Sequence, residues 1–259
     1  MNELHEANRL HWEARSADWA KRAGVEHLWR RCHRDPGQVL DMRELHWLGD
    51  LAGKRVAVLG SGDNLVAFAL AGQGARVTSV DISQNQLATA RQRAEELGLA
   101  LARQRAAKLG LSVEFLRADV TDLSDLSEST FDLVYTGGHI AIWISDLRKF
   151  YREATRILKP GGLLIVSEYH PFRRIWKATT DRLEIGADYF HRGPYTYEGP
   201  GGQTHEFQWT VGDYIDAVLA AGCEVETVEE FGTGSDGAWE VPPVGRLPRV
   251  LLVVGKKRC

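Results

Sequence analysis

The sequence predicts an α/β protein built on a doubly wound, mainly parallel sheet, and three observations carry that prediction. Short strand-like segments at residues 56–59, 77–80, 113–116, 131–135 and 163–166, the first of them an unbroken apolar run, alternate with helical segments. A strand covered on both faces reads as such a run rather than as a strict alternation. Residues 55–81, RVAVLGSGDNLVAFALAGQGARVTSVD, read as a strand, a glycine turn, a helix and a second strand ending in an acid. LKPGG at 158–162 ends a helix and sets a Pro-Gly turn before the fifth strand, and its glycines suit the positive φ such a turn needs.

The bulk numbers narrow the function classes. The chain has 259 residues, 44% hydrophobic and 26% charged, with a net charge of -3. This charge makes no global case for nucleic acid or an anionic membrane as partner. No apolar run approaches the roughly 20 residues that span a bilayer. The polar start MNELHEANRLHWEARSADW does not read as a signal peptide. Cys32, Cys223 and Cys259 are widely spaced, so neither a disulfide framework nor a metal site is expected, and a reducing cytoplasm is the expected location.

Residues 1–50 read as a helical lead-in to a main domain at 51–259. Residues 3–23 form an amphipathic helix or two short ones, with Leu4, Ala7, Leu10 (or His11) and Ala14 at helical spacing and Trp12 and Trp19 nearby. Asp35-Pro36-Gly37 marks a turn inside the lead-in. The segment either packs against the main domain or lies over the site as a lid.

In the glycine turn, Gly60 and Gly62 allow positive φ and let a ligand approach bare backbone. Asp81 ends the second strand 19 residues after Gly62, where an acid can accept hydrogen bonds from ribose hydroxyls. A dinucleotide fingerprint needs a third glycine, and that position is Leu65. Asp63 adds negative charge where pyrophosphate would sit. An uncharged nucleoside carrying a cationic sulfonium is compatible with both. The competing reading is a purely structural turn.

LGSGDN at 59–64, FDLVYTGG at 131–138 and LKPGG at 158–162, in this order and spacing, resemble the motifs of class I S-adenosylmethionine-dependent methyltransferases of the small-molecule type. The resemblance covers roughly residues 50–170 and implies a Rossmann-like sheet of seven strands. Their implied order is 3-2-1-4-5-7-6, with the seventh antiparallel. It implies S-adenosyl-L-methionine as cofactor, held by Gly60, Ser61, Gly62, Asn64, Asp81, Ile82, Asp119, Val120, Thr136, Gly137 and Trp19. By this resemblance Asp119 meets the adenine amino group and the amide of Val120 meets the ring. Otherwise Asp119 caps the turn that follows it.

After Asp81 a helix begins near Gln84, and LATARQRAEELGLA (87–100) is nearly repeated as LALARQRAAKLGLS (99–112). The offset is 12 residues, and 10 of 14 positions match. Twelve residues turn a helix by about 120° beyond whole turns, so one continuous helix could not keep both copies' apolar faces on the sheet. Either an overlong helix projects past the domain or two helices hinge at Gly98. The duplication is a tolerated insertion or the means of a homodimer.

The carboxyl ends of the fourth and fifth strands supply the candidate catalytic residues His139, Glu168 and His170, because ligands of open α/β sheets bind there. His139 could act as base, orient a substrate or pack against the cofactor. Residues 171–208 lack a regular apolar period but carry many aromatics. They read as a substrate-cap insertion with an antiparallel pair across Gly199-Pro200-Gly201-Gly202, or as a structural hairpin. His170, His191 and His205 match no metal-ligand spacing. A helix at 211–221 and strands at 225–231 and 249–256 complete the chain.

The expected chemistry is in-line displacement of the methyl group onto a small-molecule acceptor. Trp12, Trp19 and Trp143 are candidates to face the sulfonium. An aminopropyltransferase, an NAD enzyme and a non-catalytic binding module are the alternatives. An aminopropyltransferase would carry an acidic motif where this chain has Thr136-Gly137-Gly138-His139.

Overall fold

The computed structural model describes residues 1–21, 28–62, 65–98, 112–177, 184–232 and 247–259. Asp63, Asn64, most of the second copy of the duplication and residues 233–246 lie outside them.

Helix α1 (Glu3–Ala20) and the short helix α2 (Met42–Leu48) precede the sheet. Then come β1 (Arg55–Leu59), α3 (Leu65–Gly72), β2 (Arg76–Asp81), α4 (Gln84–Glu96), β3 (Ser112–Arg117) and β4 (Phe131–Gly137). Helix α5 (Leu147–Ile157) leads into β5 (Leu158–Tyr169). The chain closes with a hairpin of β6 (Tyr195–Gly199) and β7 (Gly202–Glu206), α6 (Val211–Ala220), β8 (Cys223–Phe231) and β9 (Val250–Lys257).

Seven strands form one sheet in the order β3-β2-β1-β4-β5-β9-β8, and β6 and β7 pair apart from it. β9 runs antiparallel to both β5 and β8. Counted within the large sheet, this is the order 3-2-1-4-5-7-6 with the seventh strand antiparallel, a Rossmann-like arrangement.

The apolar runs behave as strands covered on both faces. Val56, Val58, Val77, Leu133 and Ile165 enter one core with α2 and α3, whereas Ala57, Leu59, Val80, Val134 and Leu164 enter the other with α5 and α6. Alternate residues of one run therefore feed opposite cores.

The expected turn at Pro160-Gly161 is a bulge inside β5. Phe131 pairs with Leu158 and Leu133 with Leu163, so residues 159–162 loop out opposite Asp132. Asp132 holds the irregularity, accepting from the Arg55 amide at 2.8 Å and the Lys159 ammonium at 2.6 Å.

Helix α1 departs from the expected amphipathic pattern. Leu10 and Ala14 are exposed, and the buried side chains are His5, Asn8, His11 and Ser16. The reason is the surface beneath it, which is made of loop backbone and helix ends rather than core. Asn8 Nδ2 donates to the carbonyls of Trp143 (3.1 Å) and His205 (2.8 Å). Its Oδ1 accepts from the Thr204 hydroxyl (3.0 Å) and the His205 amide (2.8 Å). Glu13 accepts from the amides of Gln84 (2.8 Å) and Asn85 (2.9 Å), placing a carboxylate on the N-terminus of α4. At the hairpin tip, a Cβ on Gly201 would lie 2.4 Å from the Leu10 carbonyl oxygen, so only glycine permits this contact.

Two outcomes follow. Asn8→Ala strands four partners and weakens α1 docking by about 2 kcal/mol; faster amide exchange across α1 checks this, and unchanged exchange contradicts it. α4 ends at Glu96 and β3 pairs with β2 in unbroken register from Ser112. Deleting residues 98–109, one repeat unit, therefore leaves a folded protein, and a lost cooperative melting transition by circular dichroism would show otherwise.

Candidate active site

The site grows from the carboxyl ends of the parallel strands. The pairs Leu59–Val80, Leu59–Thr136 and Thr136–Val166 bring the ends of β1, β2, β4 and β5 level. Beyond them lies a cavity of about 570 Å³.

Gly60 has φ 63°, and a Cβ there would fall 1.8 Å from Ile140 Cδ1. The wall at this point is therefore bare backbone. Ser61 donates its amide to Val80 (3.0 Å), and the Gly62 amide donates to Asp81 Oδ2 at 2.8 Å. Asp81 Oδ1 accepts from the Ser83 amide at 2.9 Å. Burial pushes the Asp81 carboxyl up to about 6, against the pull of the amides of Ser83 and Gly62.

Asp119 presents a second carboxylate one strand over. Its Oδ1 accepts from the Thr121 amide and hydroxyl, both at 2.9 Å, and its Oδ2 meets His5 Nδ1 at 2.8 Å. His5 Nε2 accepts from the Ser145 amide at 3.0 Å, which leaves Nδ1 as the donor to Asp119. Burial works to raise the Asp119 carboxyl, but the His5 and Thr121 hydrogen bonds outweigh it and hold it below the usual range.

His139 follows Gly138 at the end of β4, and both have positive φ, 81° and 71°. Its ring lies 4.6 Å from that of Tyr169. Burial, with Arg174 and Arg173 nearby, drives its pKa down to about 3, so the imidazole is neutral. Glu168, 1% exposed, receives the Ala141 amide on Oε1 at 3.3 Å. Burial pushes its carboxyl up to about 8, while the amides of Ala141, His139 and Ile140 pull the other way. Its Oε2 has no hydrogen-bond partner among the described residues.

Gly60, Ser61, Gly62, Asp81, Ile82, Asp119, Val120, Gly137 and Trp19 line this cavity together with His139 and Glu168. Asn64 lies outside the described residues. Thr136 and His170 do not line it. Thr136 is fully buried within β4. His170 caps the turn Pro171–Arg174, with Nδ1 accepting from the Phe172 amide at 3.2 Å and Nε2 donating to Glu230 at 2.6 Å. A chain position next to the site thus gave His170 a structural task.

None of the described residues of 171–208 lines the cavity either. The hairpin packs on α1, and α1 with Trp143 forms the roof. Trp12 stands edge-on to Trp19 (5.5 Å) and Trp143 (5.3 Å), and all three face the cavity. The sequence reading missed His5, and it missed Glu44, which accepts from the Tyr135 hydroxyl at 2.7 Å. Asp41-x-x-Glu44 is a capping box that could have been read, but its contact with β4 could not. Among the described residues no group of three or more His, Cys, Asp or Glu is placed to hold a metal, and no helix is long and apolar enough to cross a membrane.

Residues 58–166 match the family described as a methyltransferase domain. A demethylmenaquinone methyltransferase of Clavibacter sepedonicus is 33% identical over 119 residues, 46% of this chain and 42% of that protein. A ubiquinone biosynthesis O-methyltransferase of Caulobacter sp. strain K31 is 30% identical over 191 residues, 72% and 66% of the two chains. The matches span less than two thirds of the length of these relatives. In fold, the chain is similar to a magnesium protoporphyrin IX methyltransferase from Synechocystis PCC 6803, solved with bound S-adenosylmethionine. Their TM-score is 0.61 at 16% identity, over 99% of this chain and 98% of the other. With its sheet order and its matched stretch from β1 to β5, the chain carries a methyltransferase domain of the class I S-adenosylmethionine-dependent family.

Proposed function

We propose that this chain transfers a methyl group from S-adenosyl-L-methionine to a small-molecule acceptor. The observation that carries the reading is the placement of Asp81 and Asp119, at the ends of β2 and β3, on one cavity with the bare backbone of Gly60 and Gly62. The donor set fits a nucleoside. Asp81 keeps lone pairs for ribose hydroxyls, Asp119 keeps them for an amino group, and the Val120 amide lies beside it. The substrate supplies a methyl group on a cationic sulfur.

The chain's own residues orient and enclose. Trp12, Trp19 and Trp143 can place aromatic faces near the cation, worth roughly 0.5 to 2 kcal/mol. α1 acts as the lid, closing the cavity against water with Glu13 and Asn8 as its fastenings. Ser61, Ile82 and Gly137 complete the cofactor wall, and Asn64 and Thr136 are carried from the family resemblance alone. His139 and Glu168 are the catalytic candidates that share the cavity; His170 is withdrawn from that role. The free cysteines suit a reducing cytoplasm. A homodimer through the duplicated segment or the insertion is part of the proposal.

Calorimetric titration with S-adenosylhomocysteine and with NAD tests the reading, since binding of NAD alone would overturn it. Asp81→Ala weakens S-adenosylhomocysteine by roughly 1.5 to 3 kcal/mol if the carboxylate accepts the ribose hydroxyls, and unchanged affinity removes that role. The pH dependence has a definite sign. Asp81 is protonated below its raised pKa of about 6, and a protonated carboxyl is a poorer acceptor. Affinity is full above that value and declines as pH falls through it; a flat profile between pH values on either side would contradict the assignment.

A further inference from the structure

Resting on that functional reading, we propose that His5 is a positioning residue for donor recognition: it fixes the plane of the Asp119 carboxylate and leaves it one acceptor site for a single N–H donor, the 6-amino group of a purine. Helix α1 thereby takes part in choosing the base as well as in roofing the cavity.

A carboxylate has about four lone-pair sites, and protein donors fill three of those on Asp119. Oδ1 accepts from the Thr121 amide and hydroxyl, both at 2.9 Å, and Oδ2 accepts from His5 Nδ1 at 2.8 Å. The site left over is on Oδ2. Asp119 lines the cavity, and its side chain keeps 6% exposure for a ligand to cover. Burial works to raise the carboxyl, but the His5 and Thr121 hydrogen bonds hold it below the usual range. It is therefore an acceptor at neutral pH, and an acceptor-only group complements an amino group rather than a ring carbonyl.

Thr121 alone would hold one oxygen and let the carboxylate swing about its Cβ–Cγ bond. His5 bonds the other oxygen and stops the swing. The imidazole is suited to this because it is itself held on both sides. Its Nε2 accepts from the Ser145 amide at 3.0 Å, and the Ser145 hydroxyl lies 3.0 Å from the same nitrogen. That hydroxyl accepts from Asn2 Nδ2 at 2.9 Å, and Asn2 Oδ1 accepts from the His5 amide at 2.8 Å. The ring is buried. The N-terminus of α1, the connection after β4 and the end of β3 thus meet at one imidazole, and an acceptor locked in this way discriminates better than a mobile one.

The other fastenings of α1 bypass Asp119. Asn8 bonds Trp143, Thr204 and His205, and Glu13 bonds the amides of Gln84 and Asn85. Loosening the helix and freeing the carboxylate therefore have different signatures. A loosened roof weakens every ligand of the cavity alike, whereas a freed Asp119 weakens those that carry the amino group.

Calorimetric titration with two ligands reads the difference. One is S-adenosylhomocysteine, and the other is its analogue with unsubstituted purine in place of adenine, which keeps the ring nitrogens and lacks the amino group. Wild type binds S-adenosylhomocysteine roughly tenfold tighter or more, the worth of one hydrogen bond to a charged group. His5→Leu cuts this preference to roughly threefold or less, chiefly by weakening S-adenosylhomocysteine. His5→Asn, whose side-chain amide donates from the Nδ1 position, retains most of it. His5→Gln moves the donor to the Nε2 position and loses the preference as leucine does, which covers the case in which the leucine variant does not fold. Asn8→Ala weakens both ligands and leaves their ratio unchanged. Equal binding of the two ligands by wild type, an undiminished preference in His5→Leu or His5→Gln, or the same fall in Asn8→Ala overturns the inference and leaves the cofactor assignment standing. Failure of wild type to bind either ligand overturns the functional reading beneath it.

Discussion

The position of β1 between β2 and β4 is the constraint on which the rest of the molecule depends. The chain leaves β1 toward one edge of the sheet, through β2 and β3, and returns on the other side as β4. Connections that diverge in this way open a crevice at the carboxyl ends of the strands. Everything that gives the cavity its chemistry then follows from where each strand stops. β1 stops at a glycine turn, β2 and β3 lead into acids, and β4 runs into Gly138 and His139. The parallel register keeps these ends level, so residues far apart in sequence share one wall.

A cavity lined by acids must satisfy them. Asp81 is held by two backbone amides and Asp119 by Thr121 and His5. Glu168 is held by the strained loop after β4. In each case neighbouring donors secure part of the carboxylate. The same logic explains α1. Its inner face meets carbonyls, helix ends and a carboxylate, and polar side chains complement those groups better than leucine would.

The sheet was legible in the sequence because its strands are short, apolar and bounded by glycine, and because the crossovers are helical. The order of the two final strands was available only by family resemblance. The grouping of Gly60, Gly62, Asp81 and Asp119 on one cavity was legible for the same reason, since all four are tied to strand ends. α1 was misread, because helical spacing of apolar residues locates a buried face only when the surface below is apolar too. His170 was misplaced because a sequence shows adjacency but not the direction of a side chain: Glu168 lines the cavity, and His170 reaches Glu230 on β8. The aromatic content of 171–208 suggested a roof, yet Phe190 and Tyr197 are exposed and the hairpin serves α1.

No residue of α1 belongs to either hydrophobic core, although His5, Asn8, Trp12 and Trp19 line the cavity. Stability and roof chemistry are thus carried by different parts of the chain. Substitutions along the inner face of this helix can reshape what the cavity admits at little cost to the sheet beneath. The strand ends are fixed by the two cores, while the first 20 residues complete the cavity above them through His5, Asn8, Trp12 and Trp19 and can be varied without rebuilding the scaffold.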